Sequence, residues 1–442
     1  MAMMKKIELE SLILFDNVRR DTLAAKTVEI AGALYSESAS PAVGEGAFRL
    51  YYEVQRGLLA AARPGPAGEA DGTYWRRHVS RLVAESENAF SLSAERGEAE
   101  PGMRALAAAE MPALRALYAF DWKRAAAVLG GGRPCAADMR PPAARRAPVL
   151  GRAGAEDAGF DPGPILRMAD DAEAAEALAA YYARAACGAF GRYAAFYWRR
   201  GLVGVERPDP VCFDDLIGYE SQKEKIIENT AFFLSGRPYS NMLLYGDRGT
   251  GKSSSVKALL NRFGSRGLRL VALPKAEIDA LPALMDALAP RGCKFIVFID
   301  DLSFEENETG YKAFKSALEG GVHAQPANIL VCVTSNRRNI VKEVWRERED
   351  LEEINLNDAL QEKRSLADRF GLTVTFSAPN KSEYLDIVRG IARRAGLAAD
   401  DALARAALQW ELRQGGRSGR AARQFVNRTL SGRDSSRAET EE

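Results

Sequence analysis

The sequence of 442 residues predicts an α/β protein: a five-stranded, mostly parallel sheet preceded by a helical N-terminal domain and followed by further helices. Three observations carry the prediction. From about Glu206 onward, short apolar runs alternate with amphipathic segments, the pattern of strands that cross over through helices lying on both faces of a sheet. Between Gly246 and Ser253, a glycine-rich turn joins a buried-strand pattern to a helical one. Residues 1 to about 205 have a different texture, rich in Ala, Arg, Leu and Tyr at helical spacing.

In chain order, the helical domain is expected over 1–205, with its clearest apolar periodicity at 100–129 and 168–200. Between those stretches, residues near 130–164 are crowded with Gly, Pro, Ala and Arg and read as a solvated linker. The core follows over 206–378, with strands expected at 242–245, 268–273, 295–299, 329–334 and 372–376. Helices return over 379–432, at 382–395, 400–412 and 418–430, and 433–442 is a polar tail.

Composition narrows the function. The 61 Lys and Arg against 60 Asp and Glu leave a formal charge of +1, so no global attraction to nucleic acid or membrane follows. Five cysteines without metal-ligand spacing read as reduced thiols of a cytoplasmic protein. Glu8 and Glu10 interrupt the apolar start that a secretory signal needs, and no window is long and apolar enough for a membrane span. With only His78 and His323, histidine-based metal chemistry is disfavoured, and any metal is expected to be Mg²⁺ arriving with a nucleotide.

Residues 246–253 read Gly246, Asp247, Arg248, Gly249, Thr250, Gly251, Lys252, Ser253, filling every fixed position of the phosphate-loop pattern G-x-x-x-x-G-K-[ST]. The glycines let successive backbone N–H groups turn toward an anion, and the following helix, starting near Ser254, adds its positive end. This predicts a P-loop NTPase core that binds ATP, with Lys252 reaching the outer phosphates and Ser253 ligating Mg²⁺. About 50 residues on, the apolar run F-I-V-F-I ends in Asp300 and Asp301. Asp300 is placed to hold Mg²⁺ and Asp301 to orient the attacking water. The run I-L-V-C-V-T-S-N ends in Asn336, a candidate for the terminal phosphate or its water, with Thr334 and Ser335 competing for that role.

Before the fifth strand, S-L-A-D-R-F-G contains an Arg-Phe pair at Arg369 and Phe370. This whole arrangement resembles the AAA+ superfamily of ATPases. The resemblance implies an ATP hydrolase whose C-terminal helices form a lid, and a homo-oligomer, a ring or hexamer being one form. It makes Arg369 the candidate arginine finger reaching a neighbouring subunit, with Arg364 second. It places Arg420 on the nucleotide from a lid helix, with Arg417 and Arg423 as competing registers. It sets Ile217, Gly218 and Tyr219 beside the adenine, while Asp214 and Asp215 cap or solvate that turn. Phrases such as D-D-L-S-F-E (300–305), L-E-G-G (318–321) and T-S-N-R-R-N (334–339) are similar to those of an uncharacterised bacterial family of AAA+-type ATP-binding proteins, a domain of unknown function. The N-terminal half resembles that family more weakly. Asp301 departs from the superfamily, where many members carry Glu; Glu305 or Glu306 are the candidates to assist it.

The expected function is therefore ATP hydrolysis driving movement against a protein or nucleic-acid partner of unknown identity. The alternatives are a nucleotide-dependent assembly switch with little turnover, a small-molecule kinase, and a nucleic-acid loader or remodeller. For the last, the basic residues Arg337, Arg338, Lys342, Arg346 and Arg348 are interleaved with acids and read first as a solvated mixed-charge face.

Overall fold

The computed structural model describes residues 8–35, 41–61, 73–131, 133–140, 161–303, 314–315, 318, 325–336, 369–414 and 416–438. These residues form two compact units. The first holds the described residues up to 193 together with 291–293, and the second holds the rest.

The first unit is helical: α1 (Thr22–Tyr35), α2 (Pro41–Ala60), α3 (Tyr74–Ala84), α4 (Ala89–Glu95), α5 (Pro101–Tyr118), α6 (Trp122–Leu129) and α7 (Asp171–Ala185). Side chains fix several helix starts. Thr73 accepts from the Arg76 N–H before α3, Asn88 and Ser91 exchange bonds before α4, and Asp170 accepts from the Glu173 N–H before α7. Each such cap is worth about 1 kcal/mol. Trp75 is buried against Trp122, with ring centroids 5.4 Å apart, and its indole N–H donates to the Leu117 carbonyl at 2.8 Å. The large ring is thus removed from water without stranding its donor.

Within this unit, buried Glu95 accepts from Arg291 Nε at 3.0 Å, Arg291 Nη2 at 2.7 Å and the Gly292 N–H at 2.9 Å. Burial pushes its pKa up, but the Arg291 fork and the bonds from Cys187 outweigh it and hold the carboxyl below its ordinary 4.5. A carboxylate whose folded pKa is lowered stabilises the fold above its unfolded pKa and loses that contribution as pH falls through the folded value. The urea midpoint is therefore expected to drop on acidification below about pH 5. Glu95→Gln should cost about 3 kcal/mol at neutral pH and flatten that acid dependence; tryptophan fluorescence during urea titration measures both.

The second unit is built on seven strands: β1 (Ala195–Trp198), β2 (Leu202–Gly204), β3 (Met242–Gly246), β4 (Leu268–Ala272), β5 (Lys294–Ile299), β6 (Ile329–Ser335) and β7 (Leu372–Phe376). Their order is β2-β1-β4-β5-β6-β3-β7, all parallel except the β1–β2 hairpin. Leu243, Val271, Val297 and Val331 are fully buried, as expected of parallel strands covered on both faces.

Seven strands, rather than five, correct the sequence reading. The five expected strands are present, and the two additional ones fall inside the stretch read as helical to 205. With four and three residues, β1 and β2 are too short to show a period of two, and their helix-rich surroundings hide them. The local signal was the turn R-R-G, where Arg200 (φ 52°) and Gly201 (φ 154°) reverse the chain.

Helices α8 (Glu220–Leu234), α9 (Lys252–Phe263) and α10 (Leu281–Leu288) belong to this core. Beyond β7 come α11 (Lys381–Arg394), α12 (Asp401–Gln414) and α13 (Gly419–Ala438). These three share a small core of Tyr384, Val388, Ala407, Ala422 and Val426. An Asn380–Glu383 capping box starts α11, and α13 continues past residue 430 through Ala438. Among the described residues, no helix is long and apolar enough to cross a membrane. Most of the linker region read from the sequence, 141–160, lies outside them.

Candidate functional site

β3 sits between β6 and β7 and delivers the glycine-rich turn to the C-terminal edge of the parallel sheet. There the open α/β architecture leaves a crevice. Gly246 turns the chain with φ 133°, and a Cβ at that position would lie 2.1 Å from the Phe376 carbonyl oxygen. Only glycine permits this approach, which lets the Asp247 N–H donate to that carbonyl at 2.9 Å. Gly249 (φ 75°) and Gly251 (φ 100°) complete the loop, and Gly251 is the cap of α9.

Lys252 folds back across the loop. Its Nζ donates to the carbonyls of Gly246 (2.8 Å) and Asp247 (2.7 Å) and to Asn336 Oδ1 (3.2 Å). Burial lowers its pKa from the usual 10.5, against the opposing pull of Asp301, Asp247 and Asp300. Beside it, Ser253 Oγ donates to Asp300 Oδ1 at 2.6 Å. Asn336 donates through Nδ2 to Asp301 Oδ1, so one amide bridges the lysine and the second carboxylate. A hydroxyl facing a carboxylate is an all-oxygen donor set, which suits Mg²⁺.

These groups line one cavity of about 750 Å³. Arg248, Gly249, Thr250, Gly251 and Ser254 form its loop wall, and Ile217, Gly218 and Tyr219 stand at another side. Gly218 (φ 82°) and Tyr219 (φ 59°) turn the chain into α8. The Tyr219 hydroxyl donates to the Ser377 carbonyl at 2.7 Å, and its ring lies 5.4 Å from Phe376. Burial first, then Glu383 and Asp247, raise the Tyr219 pKa to about 12, so the phenol stays protonated and remains a donor. Ile217 packs over Gly390, where a Cβ would come within 2.6 Å of its Cδ1.

Asp215 accepts from the Cys212 N–H at 2.8 Å. The carboxylate of Asp247 points away from the loop and accepts from the Ala378 N–H at 2.6 Å, at the segment joining β7 to α11.

Of the three C-terminal arginines, Arg420 and Arg423 line the cavity, while Arg417 is paired with Glu411 at 3.0 Å. The Arg420 N–H also donates to the Gly249 carbonyl at 3.2 Å, which brings the start of α13 onto the phosphate loop. Arg369 is not among the cavity residues. It is exposed three residues before β7, at the sheet edge opposite the loop, with the five-residue strand, about 13 Å from Leu372 to Phe376, between them. Glu305, Glu306, Arg364 and the basic stretch from Arg337 to Arg348 lie outside the described residues.

Sequence reasoning missed Lys257, Ile387, Ile391, Gln424 and Asn427, which also line the cavity. For the last two a signal existed. Residues 420, 423, 424 and 427 are spaced i, i+3, i+4, i+7, one polar face of a helix.

A phosphate loop on a parallel sheet, flanked by an acidic strand end and a polar one and followed by a helical subdomain, is the architecture of a P-loop fold. The family described as "protein of unknown function (DUF815)" matches residues 191–433, more than half of the chain, and the chain belongs to that family. Among solved structures, it is similar to the RuvB Holliday junction branch migration motor of Thermotoga maritima, with 18% identity and a TM-score of 0.35, covering 50% of this chain and 65% of that one. A RuvB variant from the same organism gives 19% identity and a TM-score of 0.36, covering 50% of this chain and 66% of that one. The chain thus spans slightly less than two thirds of these RuvB chains, and the superpositions are loose.

Proposed function

We propose that this protein binds ATP with Mg²⁺ and hydrolyses it, using turnover to move its C-terminal helices against a partner. The observation that carries the reading is the convergence of Lys252, Ser253, Asp300, Asp301 and Asn336 in one cavity, joined by direct hydrogen bonds. Main-chain N–H groups of the loop and Lys252 bind the triphosphate, and Ser253 and Asp300 hold the metal. The bound ion supplies charge neutralisation on the phosphate oxygens. Asp301, held by Asn336, orients a water for attack on the terminal phosphorus. Ile217, Gly218 and Tyr219 take the base, with Ile387 and Ile391 as apolar cover, and Arg420 or Arg423 approaches the phosphates from α13.

The position of Arg369 at the far sheet edge favours action on a neighbouring subunit's nucleotide, and with it a homo-oligomer. A switch with negligible turnover is the second reading, favoured by Lys252 and Asn336 already satisfying one another across the loop.

Steady-state phosphate release with Mg·ATP separates the two. For an enzyme, Asp301→Asn should lower release about 10²–10³-fold while ATP affinity stays within about twofold. For a switch, wild type binds ATP and releases no phosphate. Arg369→Ala should be inactive alone and regain activity when mixed with Lys252→Ala, whose intact arginine completes the other variant's site. If mixing restores nothing while Arg369→Ala is inactive, the intersubunit role fails.

A further inference from the structure

Two adjacent acidic residues at the end of β5 meet a single hydroxyl on the neighbouring strand, Asp300 through its carboxylate and Asp301 through its main-chain N–H. Thr334, near the end of β6, is 1% exposed. Its Oγ1 donates to Asp300 Oδ1 and accepts from the Asp301 N–H at 2.8 Å. Its carbonyl accepts from the Leu302 N–H at 2.8 Å. These bonds bracket Asp301, whose φ of 50° lies in the left-handed region that non-glycine residues rarely adopt.

We propose that Thr334 is a positioning residue of this site, fixing the metal-side carboxylate of Asp300 directly and the backbone turn that carries Asp301 through its N–H, without itself binding phosphate. The inference rests on the ATPase reading above and deepens it. A threonine hydroxyl has one proton to give. Here that proton is committed to Asp300, so Thr334 presents only lone pairs to an anionic phosphate. Its part on the cavity wall is therefore to position the two acids, and direct phosphate contact falls to Asn336. Ser253 Oγ and Thr334 Oγ1 both reach Asp300 Oδ1, so a Ser253 hydroxyl turned toward a metal leaves Thr334 as the hydroxyl still holding that carboxylate.

The test uses Thr334→Val and Thr334→Ala, which remove the hydroxyl, and Thr334→Ser, which keeps it. Two measurements are made on each: Mn²⁺ affinity of the ADP-bound protein by electron paramagnetic resonance, and steady-state phosphate release. Both hydroxyl-free variants are expected to weaken Mn²⁺ binding about tenfold and lower kcat about ten- to a hundredfold, with KM for ATP and metal-free ADP affinity within about threefold of wild type. Thr334→Ser should keep both properties. A merely structural role would instead lower metal-free ADP affinity in parallel. Wild-type Mn²⁺ affinity in Thr334→Ala, or an equal loss in Thr334→Ser, overturns the proposal. Should the valine variant fail to fold by circular dichroism, the Ala and Ser pair decides. Wild-type protein that binds ADP but lacks turnover defeats the hydrolase reading alone, since the Mn²⁺ measurement still tests Thr334. Wild type that binds no nucleotide defeats both.

Discussion

Lys252→Ala is expected to reduce phosphate release to background, a fall of about 10³-fold or more, and to weaken ATP binding at least tenfold. The physical basis is the loss of the one ammonium that spans the loop from the Gly246 and Asp247 carbonyls to Asn336. A preorganised charge aimed at developing phosphate charge is worth roughly 3–4 kcal/mol in the transition state. The fold itself should tolerate the change, because Lys252 lines the cavity and its ammonium bonds the loop carbonyls and Asn336 rather than the sheet core. Circular dichroism together with phosphate release under saturating Mg·ATP measures both parts. A folded Lys252→Ala protein with wild-type turnover would remove the phosphate loop from the chemistry.

Gly246→Ala is expected to be the most damaging single-methyl change in the core. Two independent penalties coincide there: φ of 133°, and a Cβ placed 2.1 Å from the backbone oxygen of Phe376. Backbone cannot swing aside as a side chain does, so β7 must shift away from β3 along the pairing that joins them. A loss of about 3 kcal/mol or more follows, seen as a fall in melting temperature of roughly 6–12 °C. Gly251→Ala supplies the internal comparison. Its φ is 100°, yet nothing stands within 4 Å of the added methyl, so only the backbone penalty of about 1–2 kcal/mol applies. Equal melting temperatures for the two variants would show that the close β3–β7 approach does not matter.

How much was legible in the sequence differs between the two ends of the site. At the phosphate end, residues 246–253 are fixed in type and spacing by the need to wrap an anion with main-chain N–H groups, and that requirement is written in glycines. The strands carrying the acids and Asn336 were equally plain, because strands covered on both faces become continuous apolar runs. At the opposite end, contacts come from the register of α11 and α13 against the core. Ile387, Gln424 and Asn427 look in sequence like ordinary surface or core positions of an amphipathic helix. That Arg420 and Arg423 line the cavity while Arg417 does not follows from the Arg420 N–H bond to Gly249, a main-chain contact with no sequence signature, and from the Arg417–Glu411 pair. β1 and β2 were hidden by brevity. The role of Thr334 required knowing which way its single proton points.

Asp247 occupies a variable position of the loop pattern, yet its carboxylate leaves the loop to grip the Ala378 N–H, and the phenol of Tyr219 grips the adjoining Ser377 carbonyl. The four-residue joint between sheet and C-terminal helices, 377–380, is therefore clamped at its first two residues by Tyr219 and Asp247. α11, starting three residues later and 14 residues long, is a lever of about 21 Å with its fulcrum at that clamp. The start of α11 is thereby tied to two side chains beside the cavity, and on the proposed ATPase reading a nucleotide that shifted either of them would turn the helix about that point.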